Sequence, residues 1–231
     1  HYFMNQFDSA AYFSHKALEI ANQIYDGKPN DRAQFAHCNL AKTYVELNRL
    51  NKALEHAEFC HSMSATVYGD VHVGTARGLG VVGDVYLAMG DLKNAEDYRT
   101  RATSMYEEFY EGEHPMLAWQ YWDEAARYSD LGNPEKAVEY MRKCLDMYER
   151  TMPDATQDIA EVKQLLGGYH LDAGHIEQAE VMLLESYKAY LNLLGPEDET
   201  TVAAMEALMD FYRTHGKDGR AEFMEVEAEV Y

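Results

Sequence analysis

Small and apolar residues recur along this chain with a period of 42 residues. Alanine marks the period most clearly, at Ala53, Ala95, Ala137, Ala179 and Ala221. A period of this length is typical of a protein built from one supersecondary unit repeated along the chain. No segment shows the sustained period-two alternation of β-branched residues that indicates a sheet, so the sequence predicts helices alone.

Four further columns of residues accompany the alanines and divide each unit into two helices. The turn column, five residues before the alanines, contains Asn48, Gly90, Gly132, Gly174 and Gly216. The tyrosine column, nine before, contains Tyr44, Tyr86, Tyr128, His170 and Tyr212, and the small column, twelve before, contains Ala41, Gly83, Ala125, Gly167 and Met209. The apolar column, thirteen before, contains Leu40, Val82, Glu124, Leu166 and Leu208. Glycine or asparagine ends a helix because the residue after the last turn often adopts positive φ. The small residues let two helices approach closely. Each unit is therefore predicted to contain a helix A, a tight turn and a helix B.

The columns predict about five and a half units, at roughly 1–28, 29–70, 71–112, 113–154, 155–196 and 197–231. Because no linker or change of composition separates them, we expect one elongated domain over residues 1–231. Residues 2–10 match the end of a helix A, the turn and the start of a helix B; the alternative is that they fold as a cap of their own. Ala221 is expected to begin the last helix B. With both ends inside a helix pair, we expect a fragment of a larger protein.

Acidic residues outnumber basic residues, with 40 Asp and Glu against 20 Lys and Arg and a net charge of −20. Such a charge repels phosphate backbones and anionic lipids and favours a basic partner. No run of the sequence approaches the roughly 20 apolar residues that are needed to span a bilayer. We therefore expect no nucleic-acid partner and no membrane partner.

Residues that could carry chemistry are scattered. Cys38, Cys60 and Cys144 are odd in number and lack CxxC spacing, so they are predicted to be reduced, half-buried thiols in a cytoplasmic protein. His56, Cys60 and His61 lie close in sequence, but no further ligand or supporting carboxylate accompanies them. No glycine-rich phosphate loop is present. We predict no catalytic residue, no metal, no cofactor and no enzymatic activity.

The small residue, tyrosine, turn glycine and alanine at fixed offsets resemble the tetratricopeptide repeat (TPR). The unit is longer than the ordinary repeat of about 34 residues, and the segments Gly112–Pro115 and Leu131–Ala137 look like those of kinesin light chain-type repeats. The resemblance covers essentially the whole chain. It implies an all-α fold, a right-handed α-solenoid (superhelix) of antiparallel helix pairs with helices A lining a concave groove. Such grooves generally hold a peptide or an extended segment of another protein.

Helix-A residues outside the small and apolar columns are expected to face that groove. The candidates are Phe35, Lys42, Glu46, Arg77, Asp84, Trp119, Trp122, Asp130, Glu161, Gln164, Asp172, Glu206 and Asp210. Trp119 and Trp122 share one helical face and are either binding anchors or part of the core. The carboxylates are either a solvated acidic face or a surface for a Lys- or Arg-containing peptide with an apolar anchor.

Two functions fit this architecture. The first is a protein–protein interaction scaffold that binds a peptide or extended protein segment in an acidic concave groove. The alternative is a regulatory or sensor superhelix that controls an effector domain outside this sequence. The fold alone does not choose between them, because such repeats serve many systems.

Glu124 is the exception in its apolar column. A buried carboxylate is unfavourable unless it is paired, and Arg127, three residues later, is a candidate partner. The alternative is a small rotation of the helix that exposes Glu124 to solvent, since glutamate is rarely fully buried.

Overall fold

The computed structural model of the chain describes residues 2–216, with side chains from residue 6 onward. Within this range the chain forms ten α-helices and no β-strand: α1 (Tyr2–Tyr25), α2 (Asp31–Glu46), α3 (Leu50–Tyr68), α4 (Val73–Ala88), α5 (Leu92–Phe109), α6 (Pro115–Asp130), α7 (Pro134–Thr151), α8 (Thr156–Asp172), α9 (Ile176–Leu194) and α10 (Glu199–Thr214). Even-numbered helices are helices A and odd-numbered ones are helices B. The pairs α2–α3, α4–α5, α6–α7 and α8–α9 are the four complete hairpins of the described range.

The glycine column forms the turn inside each hairpin. Gly90, Gly132 and Gly174 have φ values of 78°, 68° and 77°, and Asn48 adopts the same left-handed conformation with φ 53°. Asparagine tolerates this conformation better than most residues with a Cβ. In each hairpin the next amide bonds to the carbonyl oxygen of the tyrosine-column residue at 2.8–2.9 Å, which is the Schellman closure of a helix. The predicted turn is confirmed in all four hairpins.

Side-chain caps that the sequence analysis did not identify begin four of the five helices A in the described range. One is Asp198, whose Oδ1 accepts a hydrogen bond from the amide of Thr200 at 2.9 Å. Asn30 Oδ1 accepts a hydrogen bond from the amide of Ala33 at 2.8 Å. His72 and His114, at equivalent positions in successive units, accept through Nδ1 from the amides two residues later at 3.0 and 3.1 Å. These bonds satisfy amides that have no partner within the helix.

Small residues lie where the two helices of a hairpin cross. The described members of the alanine column are all buried, namely Ala53, Ala95, Ala137 and Ala179. In the small column, a Cβ added to Gly83 would lie 2.6 Å from Cγ of Arg99 and 3.2 Å from the carbonyl oxygen of Ala95. A larger residue at Gly83 would therefore push the Arg99 side chain and the opposing helix away, so the predicted role of these columns is confirmed.

Stacked aromatic rings join helix A to helix B in three of the four hairpins. Three residues after the repeat alanine, helix B carries a ring that stacks on the tyrosine column of its own helix A, in the pairs Tyr44–His56, Tyr86–Tyr98 and Tyr128–Tyr140. The ring centroids are 5.5, 5.5 and 5.4 Å apart, a favourable separation for aromatic pairs. The fourth hairpin has His170 and Met182 at these positions, and His170 contacts the ring of His175 instead.

Contacts divide the chain into two compact units, residues 1–112 and 113–231. Helices α1–α5 belong to the first unit and α6–α10 to the second. Within each unit consecutive helices pack against one another, and in the first unit the two helices A, α2 and α4, are also in contact. The buried strip between helices A and B forms the core of each unit. The expectation of one domain over residues 1–231 stays a prediction.

The turn expected within residues 2–10 is wrong, because α1 runs without interruption over 24 residues from Tyr2 to Tyr25. This segment contains no glycine or proline, and Asn5, which matched the turn column, is tolerated inside a helix. The chain first turns at Asp26 and Gly27, which have φ values of 55° and 69°. The helix expected to begin at Ala221 lies outside the described residues.

The cysteine prediction is wrong for two of the three residues. Cys38 of α2 and Cys60 of α3 form a disulfide within one hairpin, with Cα atoms 5.1 Å apart. Helix packing sets this favourable separation, which a sequence distance of 22 residues does not reveal. Cys144 is a free thiol, and Trp122 occupies the position of Cys38 in its hairpin. All three cysteines are buried, not half-buried, and burial raises the pKa of Cys144 to about 12.

Three histidines meet on α1, α2 and α3. Nδ1 of His37 lies 2.9 Å from Nδ1 of His56, and Nε2 of His15 lies 2.8 Å from the hydroxyl of Tyr44. Burial, then the neighbouring His56 and His15, lowers the pKa of His37 to about 4. Burial also lowers the pKa of His56. A hydrogen bond between two unprotonated imidazoles requires complementary tautomers, so this cluster is adapted to neutral pH.

Glu124 is buried, with 4% of its surface exposed, so the rotation that would have exposed it is wrong. The buried Tyr121 and Ala125 on the same helix fix the rotation of α6 and keep Glu124 in the apolar column. Arg127, its candidate partner, donates from Nη2 to Oδ2 of Asp123 at 2.9 Å.

Substitution Ala137→Leu tests the helix crossing. Ala137 is fully buried, so leucine is expected to overpack the α6–α7 contact and to lower the free energy of unfolding by about 1–3 kcal/mol. Chemical denaturation measures the change. Ala203→Leu, at an exposed position of α10, is the matched control and is expected to have little effect. Equal stability of the two variants would contradict the assigned packing.

Removal of the disulfide tests the link between α2 and α3. The 22-residue separation predicts that Cys38→Ser with Cys60→Ser lowers the free energy of unfolding by about 3 kcal/mol. A reducing agent is expected to lower the melting temperature of the wild-type protein and to leave that of the double variant unchanged. A wild-type protein insensitive to the reducing agent would show that the bond does not form in solution.

The stability of the first unit is expected to fall in acid through His37. Because its pKa is about 4 in the folded protein against 6.5 for the free side chain, the unfolded chain binds the extra proton between these values. Stability is therefore complete above pH 6.5 and decreases as the pH falls toward 4, by about 1–3 kcal/mol. Urea unfolding across this range should show a shallower decrease for His37→Gln than for wild type. Parallel profiles would rule out this role.

Candidate functional site

The predicted groove residues lie on one stripe of the helices A, which we call the helix-A face. The first position of the stripe is held by Phe35, Arg77, Trp119 and Glu161; three residues later lie Trp122, Gln164 and Glu206; seven later lie Lys42, Asp84 and Asp210; eleven later lie Glu46, Asp130 and Asp172. Such spacings place side chains on the same side of an α-helix. All thirteen residues are exposed or half-buried, so none of them is in the core.

The two tryptophans form an exposed aromatic surface on α6. Trp119 has 56% of its surface exposed, and Trp122 is half-buried. Their ring centroids are 6.2 Å apart with planes 22° from parallel. Met116, one turn before Trp119, is also exposed. Trp119 is therefore not a core residue, and the pair presents apolar surface to solvent.

The helix-A face is acidic in the second unit. The predicted carboxylates of this unit are Asp130, Glu161, Asp172, Glu206 and Asp210. Burial, followed by the charges of Asp130 and Asp172, raises the pKa of Tyr169, which shows that the two carboxylates lie near one phenol. Asp210 forms an ion pair with Arg213 at 3.2 Å.

The first unit differs in charge from this acidic surface. Lys42 and Arg77 accompany Glu46 and Asp84 on its helix-A face. The carboxylate of Asp84 accepts a hydrogen bond from Nη1 of Arg99 on α5 at 2.6 Å, so it contributes to hairpin packing. The predicted acidic groove therefore lacks excess negative charge in this unit.

A cavity of about 520 Å³ brings two of the predicted residues together in the first unit. Phe35 and Arg77 line it, with Ile20 of α1 and Tyr68 of α3. Arg32 is also part of its wall. This part of the helix-A face is apolar and positively charged, unlike the face of the second unit.

A larger cavity of about 1080 Å³, which the sequence analysis missed, lies between helices α7 and α9 of the second unit. We call it the α7–α9 cleft. Leu166 and His170 of α8 contribute to its lining, and Val181 and Met182 belong to its α9 side. The sequence signal that could have indicated this cleft is in the fourth hairpin, where His170 and Met182 replace the aromatic ring pair of the other hairpins. Burial, followed by His175 and Arg142, lowers the pKa of His170.

Neither a metal centre nor a membrane span is found in residues 2–216. No group of three or more His, Cys, Asp or Glu side chains in this range is arranged to hold a metal ion. None of the helices there is both long and apolar enough to cross a membrane.

Comparisons with known proteins identify the repeat. A family profile described as the tetratricopeptide repeat matches residues 31–108 and 74–150, together more than half of the chain. A human relative, tetratricopeptide repeat protein 23, is 23% identical, and the match covers 80% of this chain and 47% of the relative. The chain thus spans about half the length of that protein.

Solved structures show the same fold. BtubC from P. vanneervenii superposes with a TM-score of 0.71 at 17% identity, over 97% of this chain and 90% of that one. TPR-like repeats assigned to a kinesin light chain of Podosopora anserina superpose with a TM-score of 0.66 at 17% identity, over 84% of this chain and 92% of that one. The predicted all-α solenoid of helix pairs is confirmed.

Proteins built from such repeats generally serve as scaffolds for protein–protein interaction and are generally not enzymes. The turn glycines, the buried alanines and the two-helix hairpins place this chain among them. With the matched profile and the shared fold, these features show that the chain belongs to the tetratricopeptide repeat family.

Proposed function

We propose that the helix-A face of the second unit binds an extended peptide segment of a partner protein, one that carries Lys or Arg next to an apolar side chain. The observation that supports this most directly is the exposed Trp119, stacked on Trp122 on the same helix face that carries the carboxylates. A large apolar surface rimmed by polar residues is typical of an interaction site.

The tryptophan pair supplies the anchor. Covering Trp119 would remove from water a side chain of which more than half is exposed. Tryptophan is enriched among residues that dominate binding energy, because it combines large apolar area with few rotatable bonds. The face of an indole also attracts a Lys or Arg side chain that lies over it.

The carboxylates supply the charge preference. Four of the predicted acidic residues of this unit are Asp130, Glu161, Asp172 and Glu206. The fifth, Asp210, is paired with Arg213. A surface of one sign accelerates the approach of an oppositely charged segment and disfavours acidic competitors. The partner is therefore a basic segment, and its binding weakens as salt is added.

The remaining functional predictions follow from this proposal. The chain acts as an adaptor and not as an enzyme, because the proposed face offers binding surface and charge but no arranged acid–base pair. Its cytoplasmic location stays a prediction; the Cys38–Cys60 disulfide is a bond more common in oxidising compartments.

Selection of a random peptide display library on the purified protein tests the proposal. The enriched peptides are expected to contain an aromatic or aliphatic residue beside Lys or Arg. Substitution of both Trp119 and Trp122 by Ala is expected to weaken a selected peptide by about 30-fold or more, the effect of losing a dominant anchor. Fluorescence anisotropy measures the affinity.

Tyr12→Ala is the matched control, because Tyr12 is an exposed aromatic residue on α1, a helix B. It is expected to change the affinity less than twofold. Selection of acidic peptides, or equal affinity of the double tryptophan variant and wild type, would refute binding at this face.

A further inference from the structure

The α7–α9 cleft is formed mainly by two helices B, and neither of its α8 lining residues, Leu166 and His170, belongs to the helix-A face. Its α7 side extends from Glu135 to Glu149. Fourteen residues of helix rise about 21 Å, so the cleft is long enough for about four turns of another helix. Its volume of about 1080 Å³ reaches the upper limit of ordinary small-molecule sites.

Two departures from the repeat pattern meet in this cleft, and both remove polar or aromatic groups found in the other hairpins. The ring pair is replaced by His170 and Met182, which both line the cleft. Two residues after the repeat alanine, the other hairpins carry Glu55, Asp97 and Glu139, whereas the fourth carries Val181. Val181 has 49% of its surface exposed. An exposed valine in an otherwise acidic column is not explained by packing of the repeat.

The lining of the cleft combines an apolar floor with an acidic rim. Val181 is exposed and Leu145 and Met182 are half-buried, so these three provide the apolar surface. Val138 and Leu166 are buried beneath them. Five carboxylates are part of the lining, namely Glu135, Glu139, Asp146, Glu149 and Glu177.

The positive groups in the lining are fewer than the carboxylates. Arg142 and Lys143 are the two permanent cations among the lining residues. Nζ of Lys143 lies 5.0 Å from the ring centroid of Tyr140 and 3.7 Å from Oε1 of Glu139. Burial lowers the pKa of His170 and so disfavours a positive charge on it. Two further cations contact lining carboxylates: Lys163 faces Glu149 at 3.7 Å, and Arg150 pairs with Asp146 at 3.0 Å. The five carboxylates still outnumber these four cations, so the cleft retains net negative charge.

We propose that the α7–α9 cleft binds an amphipathic, basic helix of a partner protein. Apolar side chains on one stripe of that helix would cover Val181, Met182 and Leu145, and its Lys or Arg residues would face Glu135, Glu139 and Glu177. A helix laid into a groove between two helices is a recurring mode of recognition. This site is independent of the peptide proposed for the helix-A face, since none of its lining residues belongs to that face.

The repeats themselves supply variants that are expected to fold. Val181→Asp restores the acidic column, and Met182→Tyr restores the ring of the other hairpins. Val71→Asp, at an exposed valine of the first unit, makes the same chemical change outside the cleft. Circular dichroism and melting temperature verify that all three remain folded.

The probe is a labelled synthetic peptide of 18 residues, roughly five helical turns, with Leu on one stripe and Lys elsewhere. A second peptide has Glu in place of every Lys. Fluorescence anisotropy at fixed salt measures binding of both peptides to wild type, to the three variants and to the protein in which Trp119 and Trp122 are Ala.

The Lys peptide is expected to bind wild type, and Val181→Asp and Met182→Tyr are each expected to weaken it at least tenfold. Val181→Asp is the decisive variant, because it adds negative charge and would strengthen a purely electrostatic contact. Val71→Asp and the double tryptophan variant are expected to stay within twofold of wild type, which separates this site from the helix-A face.

Three outcomes would overturn the proposal. The first is absence of binding to wild type at 100 µM of the Lys peptide, or equal affinity for the Glu peptide. The second is equal affinity of Val181→Asp and Val71→Asp for the Lys peptide. The third is a wild-type dimer in light scattering that Val181→Asp dissociates, since a second copy of the chain would then occupy the cleft.

Discussion

The crossing of two helices at a buried alanine is the contact on which each hairpin depends. At Ala53, Ala95, Ala137 and Ala179 the side chain is a single methyl group, and the opposing position on helix A is also small in all four hairpins. Gly83 shows how little space is available, because even a methyl group there would collide with Arg99. This close approach brings the turn glycine, the ring pair and the apolar column into register. The same approach leaves the outer sides of both helices free to carry charge and aromatic groups.

The second unit uses both free sides in different ways. On helices A it presents stacked tryptophans among carboxylates, and on helices B it opens a cleft with an apolar floor and an acidic rim. The first unit is more balanced in charge and carries the disulfide and the histidine cluster, which lie inside its hairpin contacts. The first unit thus has additional internal bonds, and the second has an exposed tryptophan pair and a cleft.

Periodicity predicted the helices and turns well, because a 42-residue period constrains every column at once. It failed where a single residue decides. Asn5 matched the turn column, but nothing in the segment obliged the helix to end there. The Cys38–Cys60 bond joins two repeat positions whose other residues gave no sign of pairing. Cys144 occupies the position of Cys60 in its own hairpin but stays a free thiol, because Trp122 occupies the position of Cys38 there. The helix-A face was predictable as an exposed stripe. The α7–α9 cleft was not predictable in this way, because it arises where the fourth hairpin lacks the aromatic ring pair of the other hairpins.

The ring pairs have a consequence for how such a chain can diverge. Each pair joins residues only 12 positions apart and lies within one hairpin, so its loss in the fourth hairpin leaves the other three pairs intact. One hairpin can therefore lose its stabilising ring contact and carry other side chains in its place, while its neighbours preserve the scaffold.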